Sequence, residues 1–157
     1  MKTRILIFLL FILFTAMKTD KPAYVLFDRD GKQKDYNDLL NDVLDADIIL
    51  FGEIHNNPIS HWLQLELTTD LFAGKGTDLV LGAEMFEHDN SLILEEYVSR
   101  KIRENNFEKE AKLWDNYLTD YRPLVRFARD NDLDFVATNI PRRYAAIVAR
   151  DGFEGLE

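Results

Sequence analysis

Three short runs, each closing on polar residues, constrain the fold of this chain more than any other feature. The first is Ile48-Ile49-Leu50-Phe51, followed by Gly52-Glu53-Ile54-His55, then Asn56-Asn57-Pro58 and His61. The second, from Leu79 to Ala83, leads into Glu84-Met85-Phe86, and the third, from Asp134 to Ala137, leads into Thr138-Asn139. Helical spacing separates them. A short, wholly apolar run is the mark of a strand buried on both faces. Strands alternating with helices predict a parallel sheet with right-handed crossovers. The predicted class is therefore α/β, a parallel sheet flanked by helices.

The helices are read from apolar periodicity. Leu39, Leu40, Val43 and Leu44 place one over 36–44. Ser60 is a plausible cap and Gly74 a plausible stop for a second, over 60–72, with Leu63, Leu67 and Leu71 as its apolar stripe. His61, Gln64 and Thr68 make its polar side. Asp89 or Asn90 caps a helix over 91–102. Phe107, Ala111, Trp114, Leu118 and Tyr121 repeat in fours and threes, which predicts the seam of one helix packed on another. Pro123 restarts the chain as a first-turn proline, and a last helix from about Pro141 to Arg150 stops at Gly152. Residues 91–131 thus form a helical insertion between two strands. Ala23 to Phe27 reads as a further strand before an Asp28–Lys32 turn. Three or four strands leave an edge poorly covered. We therefore expect the domain, over 17–157, to be incomplete at the C-terminus, the first part of something longer.

Residues 1–16 have the layout of a signal peptide: Lys2 and Arg4, an apolar run from Ile5 to Phe14, then Thr15 and Ala16. The run is short for a membrane span. The expectation is export, to the periplasm or cell envelope. The chain has no cysteine, so a lipid anchor, disulfides and thiolate zinc sites are excluded. Its formal charge of −9 argues against nucleic acid as a partner.

The polar strand ends carry the chemistry. In a parallel sheet they line one crevice, which would gather Glu53, His55, Glu84 and Asn139. Imidazole with carboxylate suits a divalent ion, held by Glu53, His55, His61 and Glu84. The same groups suit acid–base work on water, with Glu53, His55 and Glu84 as the catalytic candidates. Plainer roles stand beside these. Glu53 can accept backbone hydrogen bonds at a helix start, and His61 can simply occupy a first turn. Glu84 in an apolar strand calls for a function or a buried arginine partner. His88 reads as a solvated turn residue, and Trp62, Trp114, Phe107 and Met85 as core. Arg122 and Arg142, beside prolines at element starts, can each clamp a carboxylate. Arg126, Arg129 and Arg150 read as surface ion-pair partners.

Phe51-Gly52-Glu53-Ile54-His55-Asn56-Asn57-Pro58 with His61 and Gln64 resembles the opening motif of the ChaN-like family of exported haem-binding proteins. Glu84-Met85-Phe86, Trp114, Tyr121-Arg122-Pro123-Leu124 and Asn139-Ile140-Pro141-Arg142 resemble its later motifs, in order, from Tyr36 to Gly152. The family sits in a wider group with Tiki-type metal-dependent proteases and erythromycin-esterase-like enzymes, which shares the Gly52-to-His55 signature and the strand-end Glu84. The resemblance implies an α/β fold with a helical subdomain and a role in haem or iron uptake at the envelope. Members often carry His-His where this chain has Ser60-His61, and many are lipoproteins. The wider group's second histidine motif lies in a region beyond Glu157. Haem ligation in the family is described through a tyrosine, which the resemblance places on no tyrosine of this chain.

The first expectation is therefore an exported binding protein for haem or another porphyrin, with a homodimer as one assembly open to it. Its cofactor-binding residues would be His55, His61, Gln64, Met85, Arg122, Asn139 and Arg142, with Phe86 and the insertion supplying apolar contact. The alternatives are a metal-dependent hydrolase and an inactive fragment.

Overall fold

The structure is a computed structural model in which residues 21–157 are described. The signal-peptide reading of 1–16 lies outside them. The chain divides into two units, Met1–Leu39 and Leu40–Glu157.

In the first unit, β1 (Leu26–Phe27) and β2 (Gln33–Lys34) form an antiparallel hairpin. Its turn is held by Asp28, whose Oδ1 accepts from the N–H groups of Asp30 and Lys32. Gly31, at φ 77°, takes the left-handed position the turn requires. The strand is shorter than its apolar run suggested, because the ladder extends only as far as its two-residue partner.

Helix α1 (Tyr36–Leu44) spans the boundary between the units. Asp35 and Asp38 cap it reciprocally, each side chain accepting from the other's backbone N–H.

The second unit is built on β3 (Leu81–Glu87) and β4 (Phe135–Asn139), which pair in parallel. The register runs from Leu81 opposite Phe135 to Ala83 opposite Ala137, then shifts so that Glu87 faces Asn139. The expected first strand of this sheet does not form. Residues 48–51 form no regular secondary structure, and Ile48 and Leu50 are 79% and 91% exposed. Apolar character makes a run compatible with a strand, but only a hydrogen-bonded neighbour makes it one, and β3 and β4 pair with each other.

Between β3 and β4 lies the helical insertion. It contains α3 (Ser91–Val98), α4 (Glu104–Glu110), a π-helical turn over Tyr117–Tyr121 and α5 (Arg122–Asp130). Pro123 stands in the first turn of α5, as predicted. The continuous seam predicted over 107–121 is broken instead. Helix α4 stops at Glu110, Leu118 is 50% exposed, and Tyr117 is buried in its place. A spacing of fours and threes assumes uninterrupted α-helix, and a wider π turn re-aims every side chain after the break.

The core gathers Phe86, Leu94, Tyr97, Phe107, Val125 and Ala128, all fully buried. Tyr97 stacks on Phe107, and Phe86 meets Phe107, Tyr117 and Phe135 at its edges. Met85 belongs to this core as well. Met85 and Phe86 are therefore packed inside rather than lining a ligand pocket.

Helix α2 (Pro58–Lys75) is longer than predicted at both ends. Asn57, not Ser60, caps it, its side-chain oxygen accepting from the N–H groups of Ile59 and Ser60. Its stop is Gly76 at φ 57°, two residues past the predicted Gly74. His61 and Thr68 are buried alongside Leu67 and Leu71, while Trp62 is 43% exposed. The polar stripe thus faces inward, and the tryptophan expected in the core does not. Helix α6 (Arg142–Asp151) ends at Gly152, φ 74°, as predicted. Among the described residues no helix is long and apolar enough to cross a membrane.

Candidate functional site

The loop from Gly52 to Asn57 enters α2 and is held from two sides. Helix α2 supplies His61 and Gln64, and the π turn with the residue before it supplies Asn116, Asp120 and Tyr121. At its centre is the Glu53 carboxylate, whose side chain is only 11% exposed. Glu53 Oε1 accepts from the Tyr121 hydroxyl at 2.7 Å and from His55 Nδ1 at 3.1 Å. Glu53 Oε2 accepts from Gln64 Nε2 at 2.6 Å. Burial alone would raise the Glu53 pKa; the hydrogen bonds from Tyr121, His55 and Gln64, with the charge of the His61 ring, outweigh it and hold the carboxyl below its ordinary range.

The same bonds orient two imidazole rings. A carboxylate only accepts, so His55 Nδ1 carries its hydrogen and Nε2 is the nitrogen left for other partners. The His55 side chain is 55% exposed and packs edge-on to Trp114 at 4.8 Å. His61 differs. Because Gln64 turns its NH₂ to Glu53, its oxygen faces His61 Nδ1 at 3.1 Å. His61 Nε2 faces the backbone carbonyl of His55 at 2.9 Å. Both His61 nitrogens therefore meet oxygen atoms, and the ring is enclosed between Glu53 at 3.5 Å and Asp120 at 3.8 Å.

The carbonyl of His55 also accepts from Asn116 Nδ2 at 2.6 Å and lies 3.5 Å from the Tyr121 hydroxyl. Tyr121 is 1% exposed, and its phenol pKa is raised, by burial first and then by the bond to Glu53. Four aromatic and imidazole rings pack around this point, His61 on Tyr121 and Trp114 on both Tyr121 and His55.

The structure thus brings Glu53, His55, His61 and Gln64 together. It does not bring Glu84 to them. Glu84 is exposed within β3, with neither the buried position nor, among the described residues, the arginine partner expected of it. The alternation of the strand explains this: Ala83 and Met85 face the core, so the residue between them faces away. Among the described residues no three histidine, aspartate or glutamate side chains are arranged to hold a metal ion. Asn139 sits at the end of β4 opposite Glu87. Glu87 accepts from the backbone N–H of Arg142 at 3.0 Å. The two candidate arginines separate as well. Arg122 is paired with Glu108 at 3.5 Å. The Arg142 guanidinium is exposed and makes no hydrogen bond or ion pair among the described residues. With Trp114, Asp115 and Asn116, Arg142 lines an open cleft of about 370 Å³.

Asn116, Asp120 and Tyr121 were missed as site residues. Tyr121-Arg122-Pro123 had drawn notice only as a motif, and the inward turn of Asp120 and Tyr121 depends on the π geometry, which leaves no periodic signal.

A family model described as haem-binding uptake, Tiki superfamily, ChaN, matches residues 39–157. The chain belongs to this family. Its fold agrees with the solved structure described as cofacial heme binding to ChaN of Campylobacter jejuni, with a TM-score of 0.65 at 20% identity. That likeness covers 85% of this chain and 55% of the other, so the chain spans about half the length of the ChaN structure it matches. A search of curated proteins finds no match. Family and fold agree with the α/β reading and the resemblance drawn from the motifs.

Proposed function

We propose that this chain binds haem at the surface formed by His55 and Trp114. The observation that carries the reading is the His55 ring, anchored through Nδ1 to Glu53 so that Nε2 is the open nitrogen of a fixed loop. An imidazole whose second nitrogen donates to a carboxylate is a well-oriented and basic iron ligand. Trp114 supplies an apolar face beside it. Membership of the ChaN family, and the haem described for the Campylobacter jejuni protein, support the same reading. Neither Tyr117 nor Tyr121 competes for the role: both are buried, and the Tyr121 hydroxyl is bonded to Glu53.

Haem would bring the iron centre; the protein's part is to hold and orient it. Glu53 fixes the His55 tautomer, and His61 and Asn116 fix the loop through the His55 carbonyl. Export, a place at the cell envelope, homodimer formation and service in iron uptake belong to this proposal. They rest on the apolar segment after Lys2 and Arg4 and on the family.

Titration of the chain with haemin tests the reading. A saturable Soret shift with one-to-one stoichiometry is expected, and His55→Ala should lose the iron-ligand signature while keeping the fold. A folded chain that leaves the Soret band of free haemin unchanged overturns it.

A further inference from the structure

Six arginines lie between Arg122 and Arg150, and the structure assigns a partner to all but one. Arg122 pairs with Glu108, Arg126 with Glu104 through two hydrogen bonds, Arg143 with Asp89, and Arg150 with Asp151. Arg129 lies over the Tyr97 ring. Arg142 stands apart. Its backbone N–H is bonded to Glu87, which fixes where α6 begins, yet its guanidinium has no partner among the described residues.

Arg142 lines the same open cleft as Trp114, Asp115 and Asn116. Two of these cleft residues touch His55: Trp114 meets its ring, and Asn116 donates to its carbonyl. The cleft is thus continuous with the wall that presents His55. It combines an indole, an unpaired guanidinium and one acid. A guanidinium is a planar, permanently charged fork that matches a carboxylate. In an acidic chain it would ordinarily be neutralised, and here the nearest carboxylate of the cleft, Asp115, makes no ion pair with it.

We infer that Arg142 is the anchor for a carboxylate on the ligand, and that the Trp114–Arg142 cleft selects planar ligands bearing a carboxylate beside their apolar ring system. This rests on the haem reading above, in which the carboxylate is a haem propionate. It separates Arg142 from Arg122, which sequence reasoning left equivalent. Asp115 adds a condition: an anion is accepted only while Arg142 is present to offset it.

The test pairs two ligands with three variants. Haemin and its dimethyl ester share ring and iron and differ in free carboxylates. The wild-type chain should bind haemin about ten- to a hundredfold tighter than the ester, the range for a charge-assisted hydrogen bond. Arg142→Gln should lose that preference by weakening haemin alone, Arg142→Lys should restore part of it, and Arg122→Gln should leave it intact. Equal wild-type affinity for the two ligands, or haemin binding unchanged in Arg142→Gln, overturns the inference while the haem reading stands. If wild type binds no haemin, the haem reading fails, and pyrenebutyrate against pyrenebutanol becomes the probe, read by fluorescence. An Arg142-dependent preference for the acid would then uphold the anchor, and its absence would overturn it.

Discussion

Tyr121 and Glu53, sixty-eight positions apart in sequence, meet through a 2.7 Å hydrogen bond that ties the helical insertion to the Gly52–His55 loop. The phenol ring is in the core and its hydroxyl is in the site. One side chain therefore reports both on packing and on the chemistry of Glu53.

Tyr121→Phe keeps the ring and removes the hydroxyl. Glu53 loses its closest Oε1 donor, and its pKa should rise toward the ordinary 4.5. The expected loss of stability is about 1–3 kcal/mol, the cost of leaving a buried acceptor short of a donor. Urea unfolding gives the stability change, and a carboxyl NMR titration gives the pKa. Unchanged values in both would remove Tyr121 from the network.

Acid should loosen the site. The Glu53 pKa is lower in the folded chain than in the unfolded one, so its contribution is fully present above the ordinary value of 4.5. It fades as pH falls through the lower, folded pKa. Hydrogen exchange of the loop amides over 52–57 should quicken below that point. In Glu53→Gln this acid-dependent step should disappear.

Phe107→Ala and Leu118→Ala separate the observed packing from the regular seam. Phe107 is fully buried and Leu118 is 50% exposed. The first should cost about 3–5 kcal/mol. The second should stay within about 0.5 kcal/mol, the usual range for a surface site. Comparable losses would restore the continuous helix.

Asn57→Ala should cost about 0.5–2 kcal/mol through loss of the α2 cap. Because this cap fixes where the loop carrying His55 enters α2, the change should weaken haemin binding beyond its effect on stability.

Much of this was legible before folding. Helix α1, the Pro123 start of α5 and the Gly152 stop of α6 are local signals, and local signals survived. The first motif marked Glu53, His55, His61 and Gln64, and these four do assemble. Apart from the ends of α2, set by Asn57 and Gly76 rather than Ser60 and Gly74, what failed was non-local. The run over 48–51 needed a neighbouring strand to become one, and the facing of Glu84 depended on which side of β3 met the core. Asn116, Asp120 and Tyr121 reach the site only through a turn of unusual pitch. Such contacts depend on partners that a linear pattern does not name.

The His55 carbonyl, met by His61 and Asn116, has a wider consequence. The main chain at this position is moored without help from its own side chain. The loop is thus held at His55 through its backbone as well as its ring: replacing the imidazole would remove one donor to Glu53 and alter what the loop offers to a ligand, while both bonds to the carbonyl remain. A position built this way has two independent tethers, one for the chain and one for the ring it presents.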